Sequence, residues 1–102
     1  MELIRQHLKD VKKACLDSHV SELYAFGSIL TDHFSDESDV DLMVSFDLDD
    51  PIEYGESYFR LKFALEKILD RNVDLLEAKA IRNEIFRELI DRKKVLVYAS
   101  GN

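Results

Sequence analysis

The stretch FGSILTDHFSDESDVDLMVSF, residues 26–46, joins an acidic loop directly to an apolar strand. Every second residue of its last part is apolar, at Val40, Leu42, Val44 and Phe46. Side chains two residues apart in a strand lie on the same face, so the alternation predicts a strand over residues 39–46 with one buried face. Asp39 and Asp41 then project together from the opposite face, about 7 Å apart.

A Gly-Ser pair stands upstream of these aspartates. Ten residues separate Gly27 and Ser28 from Asp39, and the pair follows a short predicted strand at residues 22–26. A glycine directly after a strand permits close backbone approach and unusual dihedral angles. If the helical turn predicted at residues 29–34 forms, its free N–H groups favour an anion. The sequence therefore offers a phosphate cradle beside the acidic pair.

A third carboxylate follows on another predicted strand, residues 73–78. If that strand lies beside residues 39–46, Asp74 faces Asp39 and Asp41. Carboxylates that meet in this way repel one another, and partial burial raises their pKa values unless a cation intervenes. Mg²⁺ prefers oxygen and is commonly held by one or two carboxylates together with substrate phosphates. Three converging carboxylates are enough to ligate two such ions.

Each of these features has a simpler interpretation when it is taken alone. Gly-Ser is a common turn, and residues 35–41 resemble a solvated acidic loop. Asp74 could cap an element or pair with Arg71. An EF-hand loop counted from Asp36 fails, because Asp41 stands where a glycine is required. It is the joint spacing of the two strands, the Gly-Ser pair and the third aspartate that indicates a site.

The remaining chain alternates helices and strands. Helices are predicted at residues 2–17, from about Glu56 to residues 70–72, and at 81–94, and a closing strand at 95–98. This order indicates an α/β (α+β) fold, a single small mixed β-sheet with helices packed on it. We expect residues 1–102 to form one domain. In the last helix the residues predicted to face inward are Ile81, Ile85, Phe86, Leu89 and Ile90.

The start of the central helix is clear from the sequence, but the sequence does not decide whether its aromatic residues are buried. Asp50 suits the N-cap and Pro51 the first helical position, but Gly55 is expected to interrupt the helix. Phe59 and Phe63 lie beside its apolar stripe, with Tyr54 before it. They are core residues or, if exposed, an interaction patch.

Composition excludes several classes of protein. The net charge is −7, and the sequence lacks the concentration of basic residues that nucleic-acid-binding proteins use to contact phosphates. A nucleic-acid polymer is therefore not expected as a partner. No apolar run reaches the length of a membrane span, and the N-terminus lacks a signal-peptide pattern. Cys15 is the single cysteine and lies on the apolar stripe of the first helix, which predicts a core thiol in a reducing, cytoplasmic protein.

The form Gly-Ser, ten residues, Asp-x-Asp in GSILTDHFSDESDVD resembles the signature of DNA-polymerase-β-type nucleotidyltransferases. The short length and the C-terminal IRNEIFRELIDRKKVLVY are similar to the minimal nucleotidyltransferases, the MNT group that includes MntA-like antitoxins. The resemblance spans roughly residues 20–98. It implies a polymerase-β-like mixed sheet with helices on one side.

The resemblance also implies a chemistry. Members of this family use two Mg²⁺ ions to transfer a nucleoside monophosphate from ATP or another NTP to a hydroxyl group, and pyrophosphate leaves. By position, Gly27 and Ser28 would bind the triphosphate, Asp39 and Asp41 would bridge the metals, and Asp74 would ligate the catalytic metal and assist deprotonation of the acceptor. MNT proteins often act as antitoxins of a HEPN-domain partner, and some adenylylate a tyrosine of the toxin. Both a homo-oligomer and a hetero-oligomer stay open, because the sequence does not determine the oligomeric state.

One segment departs from the family pattern. Many members have Ala-Arg-Gly where this chain has Leu30-Thr31-Asp32, so an arginine that could contact phosphate is missing and Asp32 adds negative charge. The departure leaves a second hypothesis open, in which the chain masks its partner without catalysis. A third hypothesis is an enzyme of the same superfamily that modifies a small molecule.

Overall fold

A computed structural model describes residues 1–101. Its helices are α1 (Glu2–Gln6), α2 (Leu8–Asp17), α3 (Pro51–Leu69) and α4 (Glu84–Lys93). Its strands are β1 (Val20–Phe26), β2 (Val40–Phe46), β3 (Val73–Glu77) and β4 (Val95–Ala99). Short 3₁₀ turns occupy Gly27–Leu30 and Ala78–Ala80.

The four strands form one mixed sheet in the order β3-β2-β1-β4. β1 is antiparallel to both β2 and β4, whereas β2 and β3 are parallel. The predicted fold class, a small mixed sheet with helices packed on it, is confirmed. Because of these directions, the end of β1 and the starts of β2 and β3 meet at one end of the sheet.

The main core lies on the face of the sheet that α2 and α3 cover. Val40, Leu42 and Val44 of β2 are at most 1% exposed and pack there against Leu61 and Leu65 of α3. Cys15 is fully buried in this core, as predicted. Burial raises the pKa of the Cys15 thiol to about 12.

A smaller apolar cluster occupies the opposite face. Phe26 of β1 and Met43 of β2 pack there with Ala78 and with Ile90 of α4. The family resemblance implied helices on one side of the sheet only. The structure differs from this expectation, because α4 packs on the second face. Phe26 is paired with Asp41 across the β1–β2 ladder, so this is also the face that carries the aspartates.

Three helix predictions need correction. The first helix breaks at His7, which has a non-helical backbone (φ −117°, ψ 18°). Gly55 does not interrupt α3, since the helix runs unbroken from Pro51, and the Asp50 side chain accepts from the Glu53 N–H as predicted for its N-cap.

The last helix differs most from its prediction. It begins at Glu84, three residues later than expected, and only Ile90 of its predicted inward residues is buried. Ile85, Phe86 and Leu89 are exposed, and Ile81 is half-buried. Within residues 1–101, no helix combines the length and the apolar character that crossing a membrane would require.

Candidate active site

The two strands that carry the aspartates lie side by side. Asp41 of β2 is directly paired with Asp74 of β3 in the parallel ladder. Asp39 precedes β2 by one residue and is exposed, as is Asp74, whereas Asp41 is half-buried. The structure thus brings Asp41 and Asp74 together. Asp39 lies two residues before Asp41, immediately before the start of β2.

Gly27 approaches the same carboxylate from β1. Its φ of +75° lies in the left-handed region that favours glycine. A Cβ added to Gly27 would overlap Oδ2 of Asp41 and lie 3.1 Å from its Cγ. A side chain at residue 27 would therefore require Asp41 to shift, and the left-handed backbone disfavours it as well.

The turn after Gly27 is shaped by its own side chains. Gly27–Leu30 forms a single 3₁₀ turn, shorter than the predicted turn at residues 29–34. Both the N–H and the hydroxyl of Thr31 donate to the Ser28 carbonyl, each at 2.9 Å. Thr31, one of the residues that depart from the family pattern, therefore closes the turn that holds Gly27 and Ser28.

Electrostatics at the carboxylates are unfavourable in the absence of a cation. Partial burial raises the pKa of Asp41, and the negative charges of Asp74 and then Asp39 raise it further. Oxygen donors that repel one another suit a hard divalent cation. Within residues 1–101, however, no three Asp, Glu, His or Cys side chains are arranged to hold a metal ion, so the predicted three-carboxylate cluster is not preassembled.

Arg71 has a role that the sequence did not indicate. Instead of pairing with Asp74, its guanidinium donates to the backbone carbonyls of Ser35 and Ser38 and stacks 4.5 Å from the centre of the Phe34 ring. It thereby fixes the acidic loop that leads into Asp39. The sequence held no signal for this contact, because Arg71 and Ser38 lie 33 residues apart.

Comparison with known proteins identifies the fold and the family. Residues 9–101 match the sequence profile described as polymerase beta, nucleotidyltransferase. This chain belongs to the polymerase β nucleotidyltransferase family. The nucleotidyltransferase is also 35% identical over 97 residues to a protein of Methanocaldococcus jannaschii that is provisionally named a protein adenylyltransferase, covering 94% of this chain and 92% of that protein.

Two solved structures share the fold of the nucleotidyltransferase. A structure provisionally described as a minimal nucleotidyltransferase matches with a TM-score of 0.76 and 26% identity over 92% of both chains. An MNT antitoxin in complex with a tri-AMPylated HEPN toxin of Shewanella oneidensis matches with a TM-score of 0.63 and 19% identity, over 94% of this chain and 72% of that chain. The resemblance to minimal nucleotidyltransferases is thus confirmed.

Proposed function

We propose that this nucleotidyltransferase transfers AMP from ATP to a tyrosine hydroxyl of a HEPN toxin and so acts as the antitoxin. The observation that carries the proposal is the meeting of Gly27, Asp41 and Asp74 at one end of the sheet. The relative named a protein adenylyltransferase and the MNT complex with an AMPylated HEPN toxin support the choice of AMP and of the acceptor.

In the proposed reaction the tyrosine oxygen forms a bond to the α-phosphorus, the bond from that phosphorus to the β-phosphate oxygen breaks, and pyrophosphate leaves. Two Mg²⁺ ions, when bound by Asp39, Asp41, Asp74 and the phosphates, would stabilise the attacking and leaving oxygens. Asp74 is exposed, so it can face the acceptor and take the hydroxyl proton. Gly27 and Ser28 hold the triphosphate through backbone N–H groups and the Ser28 hydroxyl.

The test is to incubate the chain with ATP, Mg²⁺ and its HEPN partner and to weigh the partner by mass spectrometry. We expect one or more added AMP groups, lost on chelation of the metal and in Asp41→Asn. The matched control is Asp36→Asn, which removes the same charge from the exposed loop. An unmodified partner whose toxicity is still blocked would overturn the proposal.

That last outcome would favour the second candidate, an antitoxin that masks its partner by binding. Two observations favour it: Asp32 places a negative charge next to the phosphate cradle, and the aromatic side chains of Phe59 and Phe63 are exposed on α3. The double variant Asp39→Asn/Asp41→Asn separates the two candidates. Protection is lost if the chemistry is required and retained if binding suffices.

A further inference from the structure

The two peptide groups on either side of Asp39 are both held by the residues that lead into β3. On one side, the Ser38 carbonyl accepts from the Arg71 guanidinium. On the other side, the Val40 N–H donates to the Asn72 carbonyl at 2.9 Å. The backbone has only two soft dihedral angles per residue, so holding both neighbouring peptide planes restrains the direction in which the Asp39 side chain leaves the chain.

Arg71 also holds the acidic loop before Asp39. The same guanidinium donates to the Ser35 carbonyl, which accepts from the Ser38 N–H as well, at 3.1 Å. The Ser35 N–H donates to the Ser38 hydroxyl at 3.0 Å and so closes the turn. The guanidinium lies 4.5 Å from the centre of the half-buried Phe34 ring, which packs against the main core. The loop is therefore tied to the core through these two side chains.

One short segment, residues 71–74, relates all three aspartates. Asp74 pairs with Asp41 in the parallel ladder. The Val73 N–H donates to a side-chain oxygen of Glu66 at 3.0 Å, which anchors the segment to α3. The segment thus supplies one carboxylate, lies beside the second and, through the guanidinium, holds the backbone that leads to the third.

Asp39 needs this restraint because it is exposed and because its side chain must rotate to complete a metal site that the described residues do not preassemble. Mg²⁺ demands near-octahedral oxygen geometry at short distances, whereas Ca²⁺ accepts longer and more variable ones. We propose that Arg71 is a positioning residue that keeps Asp39 within reach of the ion that Asp41 and Asp74 would hold, and that it thereby makes the site prefer Mg²⁺ over Ca²⁺. This inference rests on the proposed function.

The charge of Arg71 has to be separated from its position. In the part of the chain that the structure describes, Arg71 forms no ion pair with a carboxylate, although Asp36, Glu37 and Asp39 line the same cavity. Removing its charge would still affect the binding of any anionic ligand. The test therefore compares two ligands that have equal charge and different geometric demands.

The test is calorimetric binding of α,β-methylene ATP, which cannot transfer AMP, with Mg²⁺ and with Ca²⁺. We expect Arg71→Gln to weaken binding of the magnesium complex about tenfold, the usual cost of losing a residue that orients a metal ligand. Binding of the calcium complex should weaken by no more than about threefold, because that ion tolerates a displaced ligand. Arg71→Lys keeps the charge but not the planar fork of donors, so it should restore only part of the magnesium affinity.

The matched control is Arg60→Gln, which removes the same charge from an exposed position on α3. Arg60 lines a different cavity, beside His19 and Leu48. Its charge is screened from the aspartates by solvent and salt, so both affinities should stay within about twofold of those of the unmodified chain. Thermal unfolding of each variant establishes that the fold is intact.

Amide hydrogen exchange gives a second measurement that needs no ligand. The Ser38 and Val40 N–H groups are hydrogen-bonded in the loop and at the start of β2. Both should exchange faster in Arg71→Gln than in Arg60→Gln, while the amides of β1 stay protected. Unchanged exchange at Ser38 and Val40 would overturn the claim that Arg71 holds the backbone around Asp39.

The failure of this inference can be told apart from the failure of the proposed function. Equal weakening of the magnesium and calcium complexes in Arg71→Gln, or no weakening of either, overturns the inference even if the unmodified chain transfers AMP. A chain that shows the expected difference between the two metals but leaves the proposed HEPN partner unmodified overturns the proposed function and supports the role of Arg71. An unmodified chain that binds neither complex overturns both.

Discussion

At the scale of single residues, Gly27 and Asp41 constrain each other. Replacing Gly27 by Ala forces a side chain into a left-handed backbone and into the Asp41 carboxylate. We expect Gly27→Ala to lower the free energy of unfolding by about 1–2 kcal/mol and to abolish nucleotide binding. Urea unfolding and calorimetry measure the two effects.

Gly55 offers the matched control for that change. It lies inside α3, and an added Cβ would meet nothing within 4 Å. Gly55→Ala should therefore stabilise the protein by about 0.5–1 kcal/mol, since alanine favours a helix over glycine. A Gly27→Ala protein as stable as Gly55→Ala would show that the close packing against Asp41 is not present.

The Asp41 carboxylate is expected to destabilise the folded protein when no metal is bound. Burial and the neighbouring Asp74 and Asp39 raise its pKa, so the charged form is disfavoured in the folded state. Asp41→Asn should raise the thermal midpoint at neutral pH in the presence of chelator. It should also lower the proposed AMP transfer by about a hundredfold or more, because metal binding supplies several kcal/mol to such transition states. A lower midpoint would contradict the electrostatic argument.

Because the Cys15 thiol is buried, we expect the protein to become less stable at alkaline pH. The pKa of Cys15 is raised from 9.0 to about 12 in the folded state. Above pH 9 the unfolded chain loses this proton while the folded chain keeps it, so the contribution of Cys15 to stability falls by about 1.4 kcal/mol per pH unit. Denaturant unfolding of the unmodified protein and Cys15→Ala, in reductant, measures the difference. The difference in free energy of unfolding between the two proteins should be constant below pH 9 and decrease above it. A difference that stays constant above pH 9 would contradict the prediction.

The sequence pattern predicted the part of the candidate site that lies on the strands. The period of two in residues 39–46 separates the buried valines from Asp39 and Asp41, and the pairing of β2 with β3 brings Asp74 to Asp41 as expected. The contacts of Arg71 with the carbonyls of Ser35 and Ser38 were not predictable. They depend on contacts between distant segments, and no local period encodes such contacts.

At the scale of elements, α3 and α4 show what an apolar stripe does and does not determine. In α3 the buried line is Leu61, Leu65 and Leu69, spaced four residues apart. In α4 a comparable stripe leaves all but Ile90 exposed. A stripe indicates which face of a helix is apolar, but not whether the sheet offers a surface to cover it. Here the second face of the sheet carries only a small cluster.

The exposed aromatic residues of α3 lead to a prediction about binding of the proposed HEPN partner. Phe59 and Phe63 are 55% and 60% exposed, with ring centres 5.9 Å apart. We expect Phe59→Ser and Phe63→Ser each to weaken binding of the partner about tenfold, because aromatic side chains dominate such interfaces. Their thermal stability should change little. Biosensor binding measures the affinity.

A control for this surface comes from α4. Ile85 is 73% exposed and lies on a different helix. If α3 is the docking surface, Ile85→Ser binds the partner normally. If Ile85→Ser weakens binding and the two phenylalanine variants do not, the interaction patch is on α4 instead.

At the scale of the whole molecule, three distant segments assemble one acidic end of a sheet on a chain of net charge −7. A triphosphate approaching it is repelled unless a cation accompanies it. The nucleotide and Mg²⁺ should therefore stabilise the protein only together. At one hundred times the dissociation constant, the complex should add about 2.7 kcal/mol to the free energy of unfolding.

Thermal and denaturant unfolding with α,β-methylene ATP tests this coupling. The nucleotide with chelator, and sodium chloride at the ionic strength of the magnesium sample, should each give only a small shift, because screening does not replace a bound ion. Asp41→Asn/Asp74→Asn should abolish the joint effect, since it removes the paired carboxylates of β2 and β3. Equal stabilisation by the nucleotide with and without magnesium would contradict a site in which the metal joins carboxylates to phosphates.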